Sequence, residues 1–219
     1  MGTSMGTVKK TSLDEFSTPR KAGIIAVDLD PGDFLIGAAL TDGKHDVMLF
    51  SDGGKAVRFD ENDVRPMGRN ARGVRGMMLD DGQSVIAMLV AEDEMQSVLT
   101  ATTNGFGKRT SITEYTRHGR GTKGMIAIQQ SERNGKVVAA TLVHAEDEIM
   151  LITDTGVLVR TRVSEIRELG RATQGVTLIG LDDGAKLSGL QRIVENDAIA
   201  ADDEATPDAD GQGADDAAV

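Results

Sequence analysis

The residues of this chain best suited to chemistry lie in four short glycine-bounded basic loops, and the chemistry they suit is the holding of anions. The loops read Pro19, Arg20, Lys21, Ala22, Gly23; then Gly68, Arg69, Asn70, Ala71, Arg72, Gly73; then Gly119, Arg120, Gly121, Thr122, Lys123, Gly124; and last Gly170, Arg171, Ala172, Thr173, Gln174, Gly175. Glycine lets backbone amides approach an anion closely, and arginine offers a forked donor that matches phosphate oxygens. Each loop follows a second repeated feature: a glycine, a base four residues on, an acid five residues later, and then an apolar residue. Its copies are Gly6, Lys10, Glu15, Phe16; Gly54, Arg58, Asp63, Val64; Gly105, Arg109, Glu114, Tyr115; and Gly156, Arg160, Glu165, Ile166. The glycines are 48, 51 and 51 residues apart, which marks a repeat protein.

Other chemistries find little in the sequence. His45, His118 and His144 fall at different places in the repeats without metal-ligand spacing, so no metal site is expected. No Gly-Lys-Ser/Thr follows a glycine loop, which argues against a nucleotide-binding loop. The acid pairs Asp80, Asp81 and Asp182, Asp183 sit beside turn glycines, where turn formation accounts for them. No nucleophile has a base beside it, so no catalytic residue is assigned, and no cofactor is expected for this chain.

The elements that must position the loops are short strands. In the third copy, Asn104-Gly105 is a turn signal and Gly107 to Thr110 a short strand with one polar face. After the basic loop come an apolar strand from Met125 to Ile128, a turn at Asn134-Gly135, a strand from Lys136 to Val143, and a buried-type strand from Ile149 to Ile152. The lone Tyr115 is expected in the core, because a base-stacking surface would repeat its aromatic. Four strands per repeat predict an all-β chain of propeller-like blades. The fourth copy has no late strand of its own. Either that blade is three-stranded, or neighbours exchange strands and leave one end open. Helical periodicity is confined to a turn near Ser164 to Leu169.

Charge and composition narrow the partner. The net charge is -11, yet nine acids and no base lie between Glu195 and Val219. The four motif segments hold 19 of the 24 bases and carry a net +11, whereas the connecting segments carry a net -13, which predicts two faces of opposite sign. A cation repeated at a fixed spacing suits an extended polyanion. Without repeated aromatics or amide pairs for base edges, contact with the nucleic-acid backbone and sensitivity to its bendability would dominate. Cysteine is absent, which fits a reducing compartment. No apolar run reaches the roughly 20 residues of a membrane span, so a cytoplasmic address without membrane association is expected. Residues 1–5 read as a leader outside the fold, blades are expected at 6–53, 54–104, 105–155 and 156–194, and 195–219 as an acidic tail of disordered composition.

The stretches GTVKKTSLDEFSTPRKAGIIAVDLDPGDFLIGAALTDGKHDVMLFSDGGKAVRF, VRPMGRNARGVRGMMLDDG, EYTRHGRGTKGMIAI and LVRTRVSEIRELGRATQGVTLI closely resemble the C-terminal domain of bacterial DNA gyrase A, from about Gly6 to Val194. The resemblance implies a β-pinwheel whose blades exchange strands. It also implies binding, bending and wrapping of double-stranded DNA around a basic perimeter, in support of ATP-dependent negative supercoiling near the nucleoid. The implied partners are DNA, the rest of DNA gyrase A, and DNA gyrase B. ATP, magnesium and the catalytic tyrosine belong to other parts of that holoenzyme, a type II topoisomerase, so this chain alone would be non-catalytic. About four of the usual six blades are present. The family's Gln-Arg-Arg-Gly-Gly-Lys-Gly-like box is not among the loops, which implies weakened wrapping.

The residues expected on the phosphate path are Lys9, Lys10, Arg20 and Lys21 in the first copy, and Arg58, Arg69, Arg72 and Arg75 in the second. In the third they are Lys108, Arg109, Arg117, Arg120 and Lys123, and in the fourth Arg160 and Arg171. The alternatives are the related C-terminal domain of topoisomerase IV, which reads DNA geometry, and a protein-interaction propeller whose basic face docks an acidic partner.

Overall fold

The computed structural model describes residues 1–194, and the acidic tail lies outside them. Among the described residues the chain forms fifteen strands in four antiparallel sheets, with helical structure limited to four 3-10 turns. The expected all-β pinwheel is thus the observed architecture.

The second sheet shows how a blade is built. Its central hairpin is β4 (Asp46–Ser51) and β5 (Lys55–Asp60), turned at Gly54, whose φ of 76° favours glycine. β7 (Val85–Ala91) pairs along the other side of β4, and β10 (Met125–Ile126), which comes from the next repeat, caps β5. The third sheet repeats this order with β8 (Ser97–Thr102), β9 (Phe106–Ser111), β11 (Val137–Val143) and the imported β14 (Val176–Thr177). The first contains β1 (Gly2–Thr3), β2 (Thr7–Val8), β3 (Leu35–Gly37) and the imported β6 (Val74–Arg75). The fourth has β12 (Glu148–Thr153), β13 (Leu158–Arg162) and β15 (Leu187–Ile193), with no imported strand among the described residues.

Both alternatives for the fourth copy therefore hold together: strands are exchanged, and the last sheet is three-stranded because no later described repeat supplies its outer strand. The exchange also corrects the contiguous blade ranges. The strands at Val47 to Phe50 and Val98 to Ala101 open the following blade instead of closing the preceding one, and each outer strand belongs to the next repeat.

The exclusion of residues 1–5 is corrected as well. Gly2 pairs with Val8 on one side and Gly37 on the other, so β1 is a central strand. Ser4 Oγ and Met5 N donate to the buried Asp33 carboxylate at 2.8 and 2.9 Å. A leader reading fails because the Met-Gly-Thr-Ser-Met stretch is locally polar and short, while β3 and Asp33, which hold its other side, lie far along the chain.

β3, β7, β11 and β15 pack in succession, so they form the inner edges, and the imported strands lie at the outer ones. Three apolar cores fill the junctions between consecutive blades. Alternating residues of β4 serve two of them: Leu49 packs with Val8, Phe59 and Val64, whereas Met48 and Phe50 pack with Val98, Ile112 and Tyr115. The Phe50 and Tyr115 rings meet edge to face at 5.8 Å, which places Tyr115 in the core as its lack of repetition predicts. The third core joins Leu99 and Ala101 to Ile149, Leu151 and Ile166.

Candidate nucleic-acid interface

Because the second, third and fourth basic loops run directly into imported outer strands, strand exchange places those three loops along the perimeter. Their closing glycines are held against the preceding blade. Gly73, Gly124 and Gly175 all have positive φ, and a Cβ on them would strike the backbone at Val8, Ala56 and Gly107 respectively. The glycines are thus required by close chain approach at the exchange, independently of any ligand.

In the first three copies the base four residues after the repeat glycine is an inter-blade staple. Lys10 Nζ donates to Glu61 O at 3.1 Å, Arg58 Nη1 to Ile112 O at 3.0 Å and Tyr115 O at 3.2 Å, and Arg109 Nε to Ile166 O at 3.0 Å. The acceptors belong to the 3-10 turn, or the residue just after it, of the next repeat. Arg58 is only 9% exposed and its Nε also donates to the buried Asp46 at 2.7 Å. Its expected phosphate contact is withdrawn. Arg160, at the last copy, is exposed and pairs with Glu148.

Lys9 and Lys108 are corrected on the same ground. They are 4% and 0% exposed, and each ammonium donates to the following repeat's loop: Lys9 to Arg69 O, as well as to Ala26 O of its own repeat, and Lys108 to Gly170 O and Arg171 O. Burial pushes both pKa values down, that of Lys108 to about 8, with Glu114 opposing the shift and Arg171 adding to it. An ammonium whose protons face inner carbonyls cannot also meet a phosphate outside.

The loop arginines are partly spent in the same way. Arg69 Nη1 donates to Ile25 O at 2.9 Å, Arg120 Nη1 to Arg75 O at 3.0 Å, and Arg171 Nη1 to Ile126 O at 2.9 Å. Each acceptor lies two residues beyond the closing glycine of the preceding loop, so the loops form a linked series. Arg120 Nε is also used, donating to Asp63 O at 2.9 Å. These guanidiniums are half-buried and each is held in place by its Nη1 bond, while the Arg69 Nε is buried without a hydrogen-bond partner among the described residues.

A further row neutralises charge. Arg72 pairs with Asp28 and Asp30 at 3.2 and 2.8 Å, and Lys123 with Asp80 at 2.6 Å. Asp30 and Asp80 stand seven residues after their own loop's closing glycine, so the pairing recurs from one junction to the next. Hydrogen bonds from Lys123 and Lys55 hold the Asp80 carboxyl below its ordinary range. Arg117 is 55% exposed but chelates Asp46 and reaches Asp60 at 3.4 Å. The expected separation into two faces is therefore corrected at these loops, where exchange sets the acid of one repeat beside the base of the next.

The exposed bases Arg20, Lys21 and Arg75 have no acid partner among the described residues. Arg20 occupies the position of the stapled loop arginines, but no preceding loop among the described residues offers it a carbonyl. Arg65 and Arg167, which the loop and strand patterns passed over, are also exposed and have no acid partner among the described residues. They share one place, 11 residues after Gly54 and Gly156. Alignment of the repeats on their glycines was the available signal.

The structure also brings Asp42, His45 and Glu61 within 4.8 Å of one another, a grouping that histidine spacing did not reveal. Glu61 Oε1 accepts from Gly43 N and His45 N at 2.8 and 3.0 Å, and Lys10 Nζ stands 4.0 Å from its other oxygen. The cluster orders the turn into β4. No helix of the described residues is long and apolar enough to cross a membrane.

Comparison with known proteins agrees with this geometry. The family model described as DNA gyrase C-terminal domain, beta-propeller, matches residues 1–42, 45–92, 96–144 and 147–193. DNA gyrase A of Pseudomonas aeruginosa is 54% identical over 208 residues, covering 95% of this chain and 22% of that protein. The Escherichia coli K12 counterpart is 49% identical over 221 residues, covering 96% of this chain and 25% of that protein. The chain thus spans about a quarter or less of the length of these two relatives. Among solved structures, the C-terminal domain of DNA topoisomerase IV superposes with a TM-score of 0.83 at 25% identity, covering 88% of this chain and 60% of that one. The DNA gyrase A C-terminal domain gives 0.78 at 27%, covering 88% and 64%. Four tandem family matches over an exchanged-strand β fold identify the chain as a member of the DNA gyrase C-terminal domain, beta-propeller family, corresponding to the C-terminal region of DNA gyrase A.

Proposed function

We propose that this chain is a non-catalytic module that binds and bends double-stranded DNA along its outer perimeter, as part of a gyrase holoenzyme with the rest of DNA gyrase A and with DNA gyrase B. The observation that carries the reading is the series Arg69, Arg120 and Arg171, each fixed by one Nη1 bond at the outer edge of successive blades. A duplex following that edge would meet one oriented guanidinium per blade, with Arg20, Lys21, Arg65, Arg75 and Arg167 between them. Arg72, Arg117 and Lys123 would join only by giving up carboxylates, which lowers their net gain. Lys10, Arg109 and Arg160 have secondary places in this proposal.

Ligation of nicked circular DNA in the presence of the protein tests the reading. A shift in linking number supports a chiral wrap, whereas binding without a shift supports bending alone. Absence of salt-sensitive binding overturns the proposal. The same assay separates this reading from the second one, recognition of DNA geometry without a full wrap. ATP and magnesium are assigned to other parts of the holoenzyme, and the cytoplasm near the nucleoid is the proposed location.

A further inference from the structure

The repeats place three matched side chains at each junction between successive blades. One stands seven residues after a closing loop glycine, one just before the closing glycine of the next loop, and one just after the repeat glycine whose strand takes the imported partner. They are Asp30, Arg72 and Thr7 at the first junction, Asp80, Lys123 and Lys55 at the second, and Ser131, Gln174 and Phe106 at the third. The base stands where the acid stands, and both are lost together at the third. Arg69, Arg120 and Arg171, three residues before the second of these positions, recur whether or not an acid is there. The base beside the closing glycine therefore goes with its acid, which sets it apart from the stapled arginines.

Of these junctions only the second sets two bases on one acid. Lys123 Nζ donates to Asp80 Oδ1 at 2.6 Å and Lys55 Nζ to Asp80 Oδ2 at 3.0 Å, so each carboxylate oxygen takes one ammonium. At the first junction the balance is reversed, since Arg72 is divided between Asp28 and Asp30, and Thr7 stands in the place of Lys55. The two lysines also lie on the perimeter. Lys55 pairs across the outer strands with Ile126, whose carbonyl holds Arg171 at 2.9 Å, and Lys123 follows Arg120 in its loop. The Lys55, Asp80 and Lys123 side chains are 31%, 39% and 59% exposed, so solvent and a ligand reach all three. Ion pairs this open to water are weak.

We propose that Lys55 and Lys123 form a phosphate subsite that Asp80 holds closed, its carboxylate filling the place between the two ammoniums that a duplex phosphate would take. A phosphate offers a similar pair of anionic oxygens, so the exchange keeps both charge-assisted bonds while Asp80 swings aside. This inference rests on the DNA reading and adds to it one residue, Lys55, and a built-in competitor. An acid on the perimeter then sets how strongly the second junction grips DNA.

Band-shift titration of the full chain with a linear duplex at several salt concentrations tests the closure, in Asp80→Asn and in Asp80→Ser, which copies Ser131 of the third junction. Asp182→Asn is the control, because Asp182 matches Asp80 in the fourth repeat and has no base paired with it among the described residues. Either Asp80 variant is expected to bind about tenfold more tightly than the parent, and to steepen the slope of log affinity against log salt by about one for each lysine freed. Asp182→Asn is expected to gain less than about twofold. Lys55→Met and Lys123→Met should each cost more in the Asp80→Asn background than in the parent. Urea denaturation checks that the variants compared are folded. Asp80 variants that gain no more than Asp182→Asn, while the parent binds with salt sensitivity, overturn the closure and leave the DNA reading standing. If the parent does not bind, the DNA reading falls; the closure falls with it when the Asp80 variants do not bind either, and stands when they do.

Discussion

Arg58 of the second blade and Tyr115 of the third are joined by a buried bond, in which the guanidinium Nη1 donates to the Tyr115 carbonyl at 3.2 Å. The same nitrogen serves Ile112 O, and Nε holds Asp46. A base that repeats with the fold is here spent on joining one copy to the next. Arg58→Met is expected to lower stability by about 3 kcal/mol, because it leaves two carbonyls and a buried carboxylate short of a donor. Urea denaturation checks the loss; DNA affinity per folded molecule is expected to stay unchanged.

Arg75→Ala and Arg167→Ala should behave in the opposite way. Both side chains are exposed and without an acid partner among the described residues, so stability should stay within about 0.5 kcal/mol of the parent. If each contacts one phosphate, each substitution lowers the slope of log affinity against log salt by about one. Band-shift titration at several salt concentrations gives that slope.

The exchange glycines can be separated from ordinary turn glycines. Gly82 has φ +74° with open space around it, and Gly82→Ala is expected to cost about 1 kcal/mol from backbone strain alone. Gly124 has φ +75° and lies against the backbone of Ala56, so Gly124→Ala is expected to cost about 3 kcal/mol and to loosen β10. Thermal melts and amide exchange at Met125 and Ile126 measure the two effects.

Lys108 gives the fold a pH signature. Its folded pKa is about 8 against an ordinary 10.5, so between those values the unfolded chain binds more protons than the folded one. The contribution of this group to stability therefore rises with pH across that window and is flat below it. Denaturation of the parent and of Lys108→Met from pH 7 to 10.5 should show the parent gaining relative to the variant.

Removing the residues after Asp197 is expected to raise DNA affinity, if the acidic tail competes with phosphate for the perimeter. Equal affinity of the full and shortened chains, measured by band shift at one salt concentration, rejects that role.

The sequence by itself determined the repeat number, the β class, the turns and the family, because glycine positions and apolar alternation act over a few residues. It also placed Tyr115 in the core, since an unrepeated aromatic has no role that a repeated ligand surface could use. What it left undecided was the use of each base. Lys9 and Lys21 are both lysines within one basic segment, yet one is buried on carbonyls and the other exposed. Arg58 and Arg69 lie in one repeat, yet Arg58 closes an ion pair within a core junction while Arg69 is half-buried and bonds the Ile25 carbonyl. Those outcomes depend on which neighbour strand exchange brings alongside. The loop carbonyls that hold Lys9 and Lys108 stand 60 and 62 residues away in the following repeat, beyond the reach of local pattern, so only the tertiary structure separated the staples from the cations left for a ligand.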